Sequence, residues 1–270
     1  MAAPDTRFPR AVLLSDVDGT LMDEDERLVI GPPDVEAFER EVELVLTSSR
    51  TIAELLEIQE RLALSAPMIA ENGALIAFPP GWRGSRAGMR RRIAGVELRV
   101  IALGDRAGQL RPVVRRLAAR AGVDLVEQRD LLPDNGRAIA RTHSILVRES
   151  DDADRQSRFR ELLAARGLEA TRSGRWLAIT RGANKGTAAR ALLALAARRG
   201  APYAVTAAVG NHENDLPLLA VADQPFVIRN PRRGHDPALA ALPRAHLLQA
   251  DGITGWPDAL SRVLARVRDA

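Results

Sequence analysis

The 270-residue chain contains no cysteine, one tyrosine and only 3% aromatic residues. The absence of cysteine excludes disulfides, thiolate zinc sites and a cysteine nucleophile. So few aromatics leave little from which to build a base-stacking platform for single-stranded nucleic acid. The basic residues are also scattered among acids and form no block. The net charge of +4 and the pI of about 10.6 reflect the high pKa of arginine, and no nucleic-acid partner is expected. No apolar run approaches the roughly 18 residues of a membrane span, and the opening MAAPDTRFPR lacks the apolar core of a secretory signal. A cytoplasmic protein with no membrane partner is the expectation.

Lysine is the least expected shortage. Of 39 basic residues, only Lys185 is a lysine. Where arginine serves as the general-purpose cation, a single surviving lysine is read as a position that needs a compact ammonium. A planar, always-protonated guanidinium cannot imitate that group.

What is present is enough for a folded protein: hydrophobic residues make up 46% of the chain, and its length allows one large or two moderate domains. AVLLSDVDGT opens with an apolar run ended by turn residues, the pattern of a buried strand. PPDVEAFEREV reads as a helix with proline in its first turn, and LVLTSS as a second strand ending in hydroxyls. RTIAELLEIQERLAL is a periodic helix in which Thr51 and Glu54 are spaced as a capping box. PMIAENGALIAF gives a third strand and a turn at Asn72-Gly73. Strand–helix–strand–helix–strand predicts an α/β fold with a doubly wound parallel sheet.

From residue 82 to 180 the rhythm changes to an α+β order. Strand ELRVIAL, helix QLRPVVRRLAARAG and strands VDLVEQ and HSILVRE are followed by helix RQSRFRELLAARG and strand RWLAIT. The core rhythm resumes with KGTAARALLALAARRG, YAVTAAVG, ENDLPLLAVA, QPFVIRN and a terminal helix. The expected organisation is a core of residues 1–81 and 181–270 with an α+β cap, 82–180, inserted between them.

Ligands of open α/β sheets sit beyond the carboxyl ends of the strands, and four such ends carry chemistry. Asp16 and Asp18 follow the first strand, and Thr47, Ser48 and Ser49 the second. Lys185 opens a helix, and Gly210-Asn211-His212-Glu213-Asn214-Asp215 follows a later strand. Taken singly, Asp-x-Asp-Gly is also an ordinary turn and the serines ordinary helix caps. Together, carboxylates, hydroxyls and an ammonium at one edge suit Mg²⁺ and a phosphate group.

DVDGTL, LVLTSSR, the lone Lys185 and GNHENDLPLL resemble the four motifs of the haloacid-dehalogenase superfamily of phosphatases. The insertion after the third strand resembles its subgroup with a large cap. ENGALI, RSGRW…NKGTA and ENDLPLLAVAD are most similar to the mannosyl-3-phosphoglycerate phosphatase family. The resemblance implies Asp16 as nucleophile, Asp18 as general acid and base, and Lys185 as the cation shared by Asp16 and the phosphoryl group. It implies Ser48, Ser49 and Asn214 as phosphate contacts. Mg²⁺ would be held by Asp16, the carbonyl of Asp18, Asn211 and Asp215. Asn72 and the cap arginines Arg141, Arg172 and Arg175 become candidate contacts to a small phosphorylated substrate, with mannosyl-3-phosphoglycerate the first choice. A sucrose- or hexose-phosphate is the alternative substrate, and a phospho-ligand sensor the alternative class.

Two departures stand out. The family usually has Gly-Asp where this chain has Gly210-Asn211, which removes one negative charge from the metal site and predicts weaker Mg²⁺ binding with activity retained. The segment RTHSILVRE lacks the acidic, aromatic character usual in relatives, and His143 falls within it.

Overall fold

The computed structural model describes residues 8–128, 141–173 and 176–269. Its large sheet has nine strands. They are β1 (Ala11–Ser15), β2 (Val42–Thr47), β3 (Met68–Ala70), β4 (Leu75–Phe78), β5 (Met89–Ile93), β6 (Val96–Ala102), β10 (Val205–Gly210), β11 (Gln224–Arg229) and β12 (His246–Asp251). A second sheet holds β7 (Ile145–Arg148), β8 (Glu169–Ser173) and β9 (Trp176–Thr180). The order in the large sheet is β12-β11-β10-β1-β2-β3-β4-β6-β5. The strands from β12 to β3 are parallel; β4, β6 and β5 continue antiparallel. The expected α/β fold is what the chain forms.

Side-chain alternation makes β1 the middle of a sandwich. Ala11 and Leu13 face one layer of helices, with Phe38 of α1 (Pro32–Phe38), Leu55 of α2 (Ile52–Arg61) and Trp256 of the terminal helix (Trp256–Asp269). Val12 and Leu14 face the other, with Leu192 of α5 (Lys185–Arg198) and Leu218 of α6 (Leu216–Leu219). Burying side chains of this size stabilises by about 1.5–3 kcal/mol each. Helix α2 starts where its capping box predicts: the Thr51 side chain accepts from the Glu54 amide, and Glu54 accepts from the Thr51 amide at 2.7 Å. A third apolar cluster joins α3 (Ala107–Ala121), α4 (Ala153–Ala164) and the second sheet.

One strand expected within the inserted module joins the large sheet. ELRVIAL lies in β6, which pairs with β4 in the large sheet and carries β5 on its outer side. A strand's own pattern does not say which sheet it joins, and β5 is exposed over Met89–Arg92, so it gives no apolar signal. VDLVEQ forms no strand, contributing one bridge, Glu127 to Val147. We propose that the inserted module begins near Asp105 and ends near Arg181. These residues meet: the Asp105 amide donates to the Arg181 carbonyl at 3.1 Å, and Arg181 Nε to Asp105 Oδ2 at 2.6 Å.

Candidate active site

The connection order reverses at β1: β2 and β3 lie to one side of it, β10 and β11 to the other. Strands β10, β1, β2 and β3 are parallel neighbours, so their carboxyl ends bring Asn211, Asp16, Ser48 and Glu71 to one edge. This is the switch point at which open sheets bind ligands.

Asp16 extends β1, its amide bonding the Val209 carbonyl at 2.9 Å. Its carboxylate is buried: Oδ1 accepts from Lys185 Nζ at 2.6 Å, and Oδ2 from Thr20 Oγ1 at 3.1 Å. Lys185, at the first turn of α5, gives a second bond of 2.6 Å to Asp215 Oδ1. Burial, then the neighbouring Asp215 charge, push the Asp16 carboxyl up to about 7 against the pull of Lys185. Burial works to neutralise Lys185, but Asp16 and Asp215 overcome it and hold the ammonium above the usual lysine range.

Two buried carboxylates thus share one ammonium, and the cluster is one positive charge short of balance. Among the described residues, no three His, Cys, Asp or Glu side chains are grouped to hold a metal. The donor set is instead two carboxylates, the Asp18 carbonyl and the Asn211 amide. Such a set fits a hard cation that completes its shell with water and phosphate oxygens.

Gly19 has φ +74°, and a Cβ there would stand 2.4 Å from Asn211 Nδ2. Only glycine allows the turn and the approach together, and Asn211 Nδ2 donates to the Asp18 carbonyl at 3.2 Å. The Asn211 and His212 amides both bond Asp215 Oδ2, at 3.0 and 3.1 Å, which fixes the turn after β10. The Asp18 side chain is about half exposed and gripped by Arg50, whose Nη2 lies 2.8 Å and Nε 3.1 Å from Oδ1.

Ser48 is fully buried and accepts from the Arg50 amide at 3.2 Å. Asn72, in the left-handed region at φ 56°, bonds the Ser48 carbonyl through its amide, and its Oδ1 accepts from Asn214 Nδ2 at 3.3 Å. Asn72 Nδ2 is buried with no hydrogen-bond partner among the described residues. A buried donor left in this state suits a ligand oxygen. A cavity of about 920 Å³ opens above the cluster. Asp16, Asp18, Ser49, Asn211 and Asn214 line it on the core side, with Asp23, Glu24, Glu26, Arg50 and Asn230 around them, and Trp176 of the inserted module reaches it.

The cap arginines divide. Arg141 reaches the core, donating from Nη1 to the Ser49 carbonyl at 2.6 Å, and from Nε to Gln128 at 3.1 Å. Arg172 is not brought to the cavity; its Nε pairs with Glu149 at 2.6 Å beside a separate hollow that includes Arg160. Arg175 lies outside the described residues. Sequence reasoning passed over Arg50 and Glu71. The signal for Glu71 was there, a lone acid inside the apolar stretch PMIAENGALIAF; Arg50 stood directly after the hydroxyl pair.

Residues 13–83 match the family described as haloacid dehalogenase-like hydrolase. Over 94% of its length the chain is 29% identical to a glucosyl-3-phosphoglycerate/mannosyl-3-phosphoglycerate phosphatase of Methanococcoides burtonii, covering 97% of that protein. A relative of the same name from Persephonella marina is 24% identical over 95% of this chain and 98% of its own. In fold it is similar to the sucrose-phosphatase of Synechocystis, solved with sucrose and phosphate. The TM-score is 0.64 at 17% identity, covering 97% of this chain and 99% of the other.

Proposed function

We propose that the chain hydrolyses a phosphomonoester of a glycosylated glycerate, mannosyl- or glucosyl-3-phosphoglycerate, through a phosphorylated Asp16. The observation that carries this reading is the buried Asp16–Lys185–Asp215 cluster opening onto a polar cavity. An Asp16 oxygen attacks phosphorus, and the ester oxygen leaves with a proton from Asp18, giving the free alcohol and an aspartyl phosphate. Water then adds to phosphorus, Asp18 takes its proton, and the P–O bond to Asp16 breaks to release inorganic phosphate. Lys185 offsets charge on Asp16 throughout, while Ser48, Asn214 and the unpartnered Nδ2 of Asn72 hold phosphoryl oxygens. Arg50 keeps Asp18 aimed at the cavity. Asp16, the Asp18 carbonyl, Asn211 and Asp215 would hold Mg²⁺, which when bound supplies Lewis-acid neutralisation of the phosphoryl charge. The acids Asp23, Glu24 and Glu26 offer acceptors for sugar hydroxyls.

The test is Mg²⁺-dependent phosphate release from mannosyl- and glucosyl-3-phosphoglycerate beside sucrose- and hexose-phosphates. Turnover led by the glycosyl-phosphoglycerates is expected. Turnover confined to other phosphosugars would move the substrate, and binding without release from any of them would replace the enzyme reading with a sensor.

Asn211 bears on the metal directly. Asn211→Asp is expected to tighten Mg²⁺ binding about tenfold or more, because a full charge replaces an amide dipole beside a divalent ion. Isothermal titration calorimetry of the two proteins reads this without turnover; equal affinities would remove residue 211 from the ligand set.

A further inference from the structure

Glu71 is a carboxylate that the chemistry above does not use. It is 1% exposed, at φ 51° in the turn after β3, and it accepts four hydrogen bonds. Thr142 donates to Oε1 twice, from its amide at 2.9 Å and from Oγ1 at 3.1 Å. The His143 amide and Ser144 Oγ each donate to Oε2 at 2.8 Å. All four donors belong to one short segment of the inserted module, while Glu71 belongs to the core. Arg141, next in that segment, adds its bond to the Ser49 carbonyl.

The other side of the Glu71 turn is tied to the hydroxyl-bearing turn after β2. The Glu71 amide bonds the Arg50 carbonyl at 2.8 Å, and the Asn72 amide bonds the Ser48 carbonyl at 3.0 Å. The module is joined covalently to the core only near Asp105 and Arg181, and segment 141–144 is a further attachment, made without a covalent bond, beside the Asn184–Glu169 bonds and the Arg160–Glu213 pair. A buried carboxylate is stable only while its donors stay in place, so lifting the segment away would strand Glu71.

We propose that Glu71 is a positioning residue that seats the inserted module on the core, holding Trp176 over the cavity and Arg141 against the turn of Ser48 and Ser49. It touches no reacting atom. Its effect should be felt by substrates whose leaving group reaches the module, and hardly by one that needs the core alone.

Glu71→Gln keeps size and shape but turns an NH₂ toward two of the four donors. Amide exchange at Thr142 and His143 is expected to accelerate by about tenfold or more as the docked state loses population. The value of kcat/KM for a glycosyl-phosphoglycerate should fall about tenfold, chiefly through KM, while p-nitrophenyl phosphate turnover stays within about threefold of the parent. The double variant Thr142→Val, Ser144→Ala approaches the same contact from the module and should give the same pattern. Adding Glu71→Gln to it should have less than its full separate effect. Equal losses on both substrates, or unchanged exchange at residues 142 and 143, would overturn the proposal. The kinetic arm rests on the phosphatase reading above. Should the parent protein release no phosphate from any glycosyl-phosphoglycerate, that reading fails, and the exchange rates alone decide the role of Glu71.

Discussion

Exchanging Asp16 for asparagine is expected to lower phosphate release by at least about 10⁴-fold, the scale seen when a nucleophile is removed, without lowering the melting temperature. The loss follows from chemistry: the amide oxygen of asparagine is a poor nucleophile, and Asp215 does not substitute, since it is fully buried and, unlike Asp16, does not line the cavity. The stability follows from electrostatics. Asp16 and Asp215 compete for one ammonium in a buried site, and burial followed by Asp215 pushes the Asp16 carboxyl up to about 7. A neutral isostere at position 16 removes that conflict while Lys185 keeps Asp215 as its partner. Active sites commonly hold such destabilising groups for the sake of reaction. The comparison is made in chelator-treated buffer, by phosphate release after re-addition of Mg²⁺ and by thermal unfolding before it. Residual turnover within a hundredfold of the parent would exclude Asp16 as the nucleophile, and a melting point several degrees lower would refute the electrostatic argument.

Removing the ammonium should do the opposite to stability. Lys185→Met keeps the length of the side chain but leaves Asp16 and Asp215 facing each other, both buried. Breaking a buried pair at one partner typically destabilises by about 3–5 kcal/mol, which for a chain of this size is on the order of 10 °C in melting temperature. Activity should vanish with it. Lys185→Arg should not restore turnover, because Nζ sits 2.6 Å from both carboxylates in a fully buried space and a guanidinium is wider and planar. A discriminating measurement is the double variant with Asp16→Asn, which removes one of the two stranded charges. It should recover a large part of the stability lost in Lys185→Met, with a coupling of about 2 kcal/mol. Strictly additive losses would mean that Lys185 is held by packing and not by its two acids.

The site's parts were legible in the chain because each sits at the end of an apolar strand or the start of a helix, where local pattern and chemistry coincide. Asp16, Ser48, Lys185 and Asp215 are all of this kind, and the structure brings them to one edge. What was not legible depends on long-range pairing. The strand ELRVIAL was visible, but its membership of the large sheet is fixed by pairing with β4. β12, HLLQAD, buries only Leu248 and so hides at the sheet's edge. Arg172 reads as well as Arg141 for a ligand contact, and only the fold shows it turned to Glu149. Glu71 was missed for a related reason, since its partners lie some seventy residues further along the chain.

The enclosure of Lys185 has a practical side. Apart from the chain's own amino terminus, this protein presents no primary amine at its surface, because the one lysine in 270 residues is 1% exposed and clasped by two acids. Acylating reagents, aldehydes and lysine-directed crosslinkers therefore have no side-chain amine to label while the fold is intact. Any label that appears at residue 185 marks a molecule that has opened its centre, so the lysine serves as a built-in chemical counter of unfolding.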